Sequence, residues 1–202
     1  MIWLSFSTGF GICASLIVAI GAQNAFLLRQ AVRGEHVIPL VLLFGACDAI
    51  LITAGVTGGA ALLSATPWLL PVIRWAGAGF LAVYGLLAVR RAIRPGALVA
   101  ATGRRSASAR AVILTGLAFT LLNPHVYLDT VLLVGSIGAA QPDGGKLPFV
   151  LGATCASAAW FSLIGIAGSR LAPVMARPAV WRGLEAMTAA IMFVTAFALA
   201  RS

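Results

Sequence analysis

Two aspartates stand where aspartate is expensive. Asp48 lies in "LLFGACDAILITAGV" and Asp129 in "LLNPHVYLDTVLLVG", runs that are otherwise almost wholly apolar. An aspartate at the centre of a membrane helix costs about 2.5–3.5 kcal/mol on insertion scales, so each needs a reason. One reason is structural: protonated carboxyls hydrogen-bonded between helices. The other is chemical, because acids inside membrane segments often line a substrate or ion path. A carboxyl that is neutral when empty and charged when it holds a cation trades a proton for a positively charged ligand.

The neighbours of Asp129 are polar as well. His125 precedes it by four residues, which in a continuous helix puts both on one face. An imidazole titrates near neutrality and could relay the exchanged proton, or it could be a hydrogen-bonded interior histidine. Pro124 has no N–H to donate and bends or breaks a helix. Such a break frees carbonyls near Thr120 and Leu121, which suit an ammonium or guanidinium group, and it could equally be a bare kink. Asn123 adds an amide and Tyr127 a hydroxyl beside them. In the first apolar segment Gln23 and Asn24 have the matching place. These eight residues, Gln23, Asn24, Asp48, Asn123, Pro124, His125, Tyr127 and Asp129, are the candidate substrate-binding and coupling set.

No catalytic constellation accompanies them. The chain has no GxSxG, HExxH, Walker A or GxGxxG pattern. No enzyme activity, cofactor or resident metal is expected. Cys13, Cys47 and Cys155 are scattered singly through apolar runs, unlike a zinc site or a disulfide framework.

The elements that must position this chemistry are membrane helices. Of 202 residues, 61% are hydrophobic and 9% charged, against about a quarter charged in an ordinary soluble domain. Six apolar segments run over 4–28, 37–60, 68–89, 111–138, 147–169 and 179–200. Each reaches the roughly 20 residues that a spanning helix needs, and helices satisfy their own backbone where lipid offers no partner. The expected fold is an all-α membrane protein, one transmembrane domain over 1–202.

Charge sets the orientation. The net charge is +9, which reads as loops facing anionic lipid rather than as nucleic-acid binding, because no long basic run exists. The odd loops carry eleven of the 14 basic residues, six of them in the third loop. That places the odd loops in the cytoplasm and both termini outside. The polar pair Gln23 and Asn24 leaves a re-entrant first segment, with the N-terminus inside, as the alternative.

The third loop, 90–110, divides the chain into a first half (1–89) and a second (111–202). Three helices is an odd number, so the second half is inserted upside down relative to the first. An inverted 3+3 repeat with broken first and fourth helices is expected, its site at the repeat interface near the midplane. Exposed small-residue helix faces would permit a homodimer.

Three stretches carry a family resemblance: "GAQNAFLLRQ" (21–30), "CDAILITAGVTG" (47–58) and "LNPHVYLDTVLLVGS" (122–136). They closely resemble the lysine/arginine exporter family of bacterial inner membranes, and the length and six segments extend the likeness over essentially the whole chain. The resemblance implies export of L-arginine or L-lysine from the cytoplasm, with Asp48 and Asp129 matching the family's pair of membrane aspartates. Protons are the expected coupling ion. Export of another cationic solute or of a metal ion remains open. So does a transmembrane thiol redox carrier, in which Cys155 would meet Cys13 or Cys47.

Overall fold

The computed structural model describes residues 2–18, 21–59, 61, 65–93, 108–175 and 178–201. All the regular structure among them is helical. Eight helices follow in chain order. They are α1 (Ile2–Ile17), α2 (Ala22–Arg33), α3 (Val37–Ala54, continued by a π-type turn, Gly55–Gly59), α4 (Leu69–Ile93), α5 (Ala109–Leu121), α6 (Pro124–Ala139), α7 (Lys146–Met175) and α8 (Pro178–Arg201).

Four helices are long and apolar enough to cross a membrane: Val37–Gly58, Leu69–Ile93, Lys146–Pro173 and Ala179–Arg201. The other two apolar segments are bent pairs. α1 and α2 meet at 81° and α5 and α6 at 60°, which brings the number of spans to six if each pair is one crossing. Their outer faces present Trp3, Ile38, Leu42, Ile50, Val83 and Leu147, all more than half exposed, as a lipid-facing surface requires. The chain is a multi-pass membrane protein.

Local chemistry explains the breaks. Asn24 Nδ2 donates to the Ile17 carbonyl (3.1 Å), satisfying an acceptor that the end of α1 leaves open. After Leu121 the chain turns out of helix at Leu122 and Asn123. Asn123 then caps the next helix, its Oδ1 accepting from the His125 N–H (3.2 Å). Pro124 is the first residue of α6, where a missing N–H costs nothing. The break thus lies just before the proline, and Pro124 starts a helix rather than bending one. From Tyr127 to Val134 the winding widens to a π-helix, with Asp129 in its first turn.

Helix packing follows small residues, since lipid supplies no hydrophobic drive to bring helices together. α1 lies on α7 through Gly9 and Gly152: a Cβ on either would overlap a backbone carbonyl of the other helix. Gly55 and Gly135 bring α3 against α6 in the same way. α8 packs along α4, and α2 is threaded between α7, α8 and α5. An aromatic cluster of Phe26, Phe80, Tyr84 and Phe119 fills the space between α2, α4 and α5, with ring centroids 4.9–6.2 Å apart.

One charge placement differs from the sequence expectation. Arg29, which follows the first apolar segment (4–28) directly and so counts in the sequence among the first loop's basic residues, sits inside α2 and is buried. Its Nε donates to Glu185 Oε1 on α8 (2.7 Å), and Arg91 Nε on α4 donates to the other oxygen (3.0 Å). The α2 limb extends past the apolar run because this pairing gives its charge a buried partner. Of the basic third loop, Arg94, Arg104 and Arg105, with Pro95 and Gly96, lie outside the described residues, as does Arg177 of the fifth loop.

Candidate functional site

Both helix breaks open onto one cavity of about 420 Å³, within the size range of small-molecule sites. Gln23 and Asn24 line it from the first break, Asp48 from α3, and Asn123, His125 and Asp129 from the second break and α6. Six of the eight residues singled out in the sequence therefore share one space. Pro124 and Tyr127 are not on its wall. Pro124 is buried at the start of α6, and the Tyr127 hydroxyl donates to the Leu121 carbonyl (2.9 Å). That carbonyl, which the sequence left as a ligand for a cation, has a partner of its own.

Asp48 stands halfway along its span, Val37–Gly58, and is buried. Its Oδ2 accepts from Ser157 Oγ on α7 (2.6 Å), and Ser157 has no exposed surface. Sequence reading passed over Ser157, because nothing in "GATCASAAW" separates this serine from any packing serine. Asp129 is half-buried, and no hydrogen bond or ion pair holds its carboxylate among the described residues.

The rest of the wall is apolar or weakly polar. Ile52 and Val134 face the cavity from α3 and α6, Phe161 from α7 and Thr195 from α8. Among the described residues, Gly21 caps α2 without a side-chain hydrogen bond and the Gln23 side-chain nitrogen is buried with no partner. Among the described residues no lysine or arginine lines the cavity. Two carboxyls in an otherwise uncharged wall favour a cation, and the positive end of the α2 dipole at the same wall favours an anionic group.

Cys13 lines the cavity, whereas Cys155 is exposed on α7. Among the described residues no three His, Cys, Asp or Glu side chains come together as a metal site would require.

The sequence pattern of the LysE type translocator family matches residues 14–202. A Mycobacterium tuberculosis protein, provisionally named as an amino-acid transporter, is 47% identical over 178 residues, 88% of each chain. Two proteins named arginine exporters are also similar. That of Yersinia enterocolitica is 38% identical over 196 residues, 97% of this chain and 96% of its own. That of Salmonella enteritidis is 37% identical over 193 residues, 96% and 92% of the two chains. No solved structure matches the chain.

Proposed function

This chain belongs to the family of LysE type translocators, transport proteins rather than enzymes, and from that premise we propose that it exports basic amino acids, L-arginine or L-lysine, from the cytoplasm across the bacterial inner membrane. The observation that carries the reading is the cavity itself: two carboxyls from different spans, no opposing cation among the described residues, and amides from both helix breaks on its wall. The similarity to proteins named as arginine exporters supports the same sign of substrate.

Each end of the substrate has a partner in this reading. The cationic side chain meets Asp48 and Asp129. The α-carboxylate meets the uncapped start of α2, where the unpartnered Gln23 amide nitrogen also lies. Export of a cation runs against an inside-negative potential, at about 2.3 kcal/mol per charge per 100 mV. One proton entering per cation leaving cancels that electrical cost, so the transport is proton antiport through the two aspartates, with His125 beside them as a relay.

The fold of the proposal is an inverted 3+3 repeat, with α1–α2 and α5–α6 as broken first and fourth spans. A regular spacing supports it. Gly9 on α1 abuts Phe149 and Ala153 on α7, and Gly116 on α5 abuts Leu40 and Phe44 on α3. Residues 40 and 149, and 44 and 153, are each 109 apart, the separation that also relates Asp48 to Ser157. Ile52 and Phe161, both on the cavity wall, repeat it. The packing of α1 of the first half on α7 of the second thus has a counterpart in the packing of α5 of the second half on α3 of the first. With the odd-loop basic residues inside, Arg29 excepted because it is buried in α2, the 90–110 loop between the halves is cytoplasmic and the termini are outside.

Counterflow of labelled arginine and lysine in proteoliposomes tests the reading, comparing wild type with Asp48→Asn and Asp129→Asn. Exchange by the wild type and its loss in each variant is the expected result. Absence of wild-type exchange refutes the substrate, and normal exchange by the variants makes the carboxyls structural. An exchange rate indifferent to an imposed pH gradient refutes proton coupling.

A further inference from the structure

We propose that Ser157 is a positioning residue of the exchange site, holding the Asp48 carboxylate so that its other oxygen receives the substrate's cationic group. The inference rests on the reading of Asp48 as a substrate carboxyl.

Three observations meet at this residue. The first is the bond. Ser157 Oγ donates to Asp48 Oδ2 at 2.6 Å, in the short range of hydrogen bonds to charged oxygen, and both residues are buried. Without the hydroxyl the carboxylate would rotate freely about its last bond. With it, Oδ2 is fixed on the α7 side while the residue keeps its place on the cavity wall.

The second is the position. Ser157 lies 109 residues after Asp48, the step that relates Leu40 to Phe149 and Ile52 to Phe161. It therefore occupies in the second half the place that Asp48 occupies in the first. Two equivalent positions touch each other only beside the axis that relates the halves, so this hydrogen bond marks the pseudo-two-fold axis.

The third is what the position cannot hold twice. Two carboxyls in such close contact would have to share a proton, because like charges at that distance do not both ionise. A serine in one of the two equivalent places leaves a single carboxyl on the axis, supported by a donor. The second acid of the site, Asp129, comes from a different position in its half and reaches the cavity from α6. The pair is thereby kept from collapsing into a shared-proton dyad.

The experiment is arginine counterflow in proteoliposomes at varied substrate concentration, with wild type, Ser157→Ala, the near-isosteric Ser157→Cys, Asp48→Asn, Asp48→Ser and the exchanged pair Asp48→Ser/Ser157→Asp. A hydrogen bond to a charged group has an effect of roughly tenfold or more. Ser157→Ala is therefore expected to raise the KM for arginine about tenfold while the maximal rate falls less, and Ser157→Cys, a weak donor, to lie between it and wild type. A purely structural serine would lower the maximal rate, through fewer folded molecules, and leave the KM unchanged. That result overturns the proposal, and the Cys variant carries the same decision if the Ala variant does not assemble. The exchanged pair is expected to regain exchange that Asp48→Ser alone has lost, since the carboxyl is then presented from the equivalent place. If Asp48→Asn itself exchanges normally, the substrate-site reading fails. If Asp48→Asn is inactive while both Ser157 variants keep the wild-type KM, only the role of Ser157 fails.

Discussion

Replacing Glu185 should unfold this protein more readily than replacing either of its arginine partners, and the structure orders the three losses. Glu185 has no exposed side-chain surface and serves two guanidinium groups, one on each oxygen. Arg29 is buried to 7% side-chain exposure, whereas Arg91 keeps 26%. Removing one partner of a buried pair leaves the other charge uncompensated, at about 3–5 kcal/mol. Glu185→Ala strands Arg29 in this way and should cost that much. Arg29→Ala leaves Glu185 with Arg91 and loses a buried charge-assisted bond, about 1.5–3 kcal/mol. Arg91→Ala removes a partly solvated pair, about 1 kcal/mol or less. At about 2–4 °C per kcal/mol for a chain of this size, Glu185→Ala should melt roughly 6–20 °C below wild type. The assay is thermal unfolding of the purified intact protein in detergent, followed by loss of the monodisperse peak. The double variant Arg29→Met/Glu185→Met should recover much of the loss, because an apolar pair in place of a buried ion pair is often neutral. An Arg91→Ala protein that melts as low as Arg29→Ala, or a double variant no better than Glu185→Ala, would refute the assignment of this energy to desolvation.

Two further outcomes are expected. A Gly152→Val protein should fail to accumulate in the membrane, because any Cβ there overlaps the Phe6 carbonyl of α1, while Gly11→Ala, with nothing within 4 Å, should accumulate as wild type does; equal amounts would place the α1–α7 contact elsewhere. In a Cys47→Ala/Cys155→Ala background, Cys13 remains on the cavity wall. Its labelling by a small methanethiosulfonate reagent should slow several-fold when arginine is present, and a rate unaffected by arginine would mean that this cavity is not where arginine binds.

What could be read without coordinates depended on how local the signal was. Spans were legible because about 20 apolar residues in a row have few other meanings. Asp48 and Asp129 were legible because a charge inside such a run is costly wherever its helix points. Gln23, Asn24, Asn123 and His125 were found for the same reason. Ser157 was not, since a serine is cheap in a membrane helix and becomes informative only when Asp48 is seen across from it. The pairing of Glu185 with Arg29 across 156 residues has no trace in either local sequence. Pro124 was read as bending or breaking a helix, whereas it starts one, because its residue type does not say on which side the helix stops. Asn123, the cap, decides that.

The two breaks and the two acids belong to one solution of a single problem. A polar centre in a membrane must satisfy its own backbone, because lipid will not. Here the breaks do this with their own side chains: Asn24 covers the Ile17 carbonyl, Tyr127 the Leu121 carbonyl, and Asn123 the His125 N–H. The Ile17 and Leu121 carbonyls and the His125 N–H are therefore drawn away from the cavity's chemistry, while the start of α2 has no side-chain cap. Hydrogen-bonding capacity survives elsewhere, as acceptors on Asp129 and donors at Gln23. Acceptors with negative charge at one place and donors without a partner at another match a ligand that carries a cation at one end and a carboxylate at the other. A bare cation would use the first set and leave the second unsatisfied. A neutral amino acid would leave at least one carboxylate unpaired. In the function proposed above, a basic amino acid answers both sets at once.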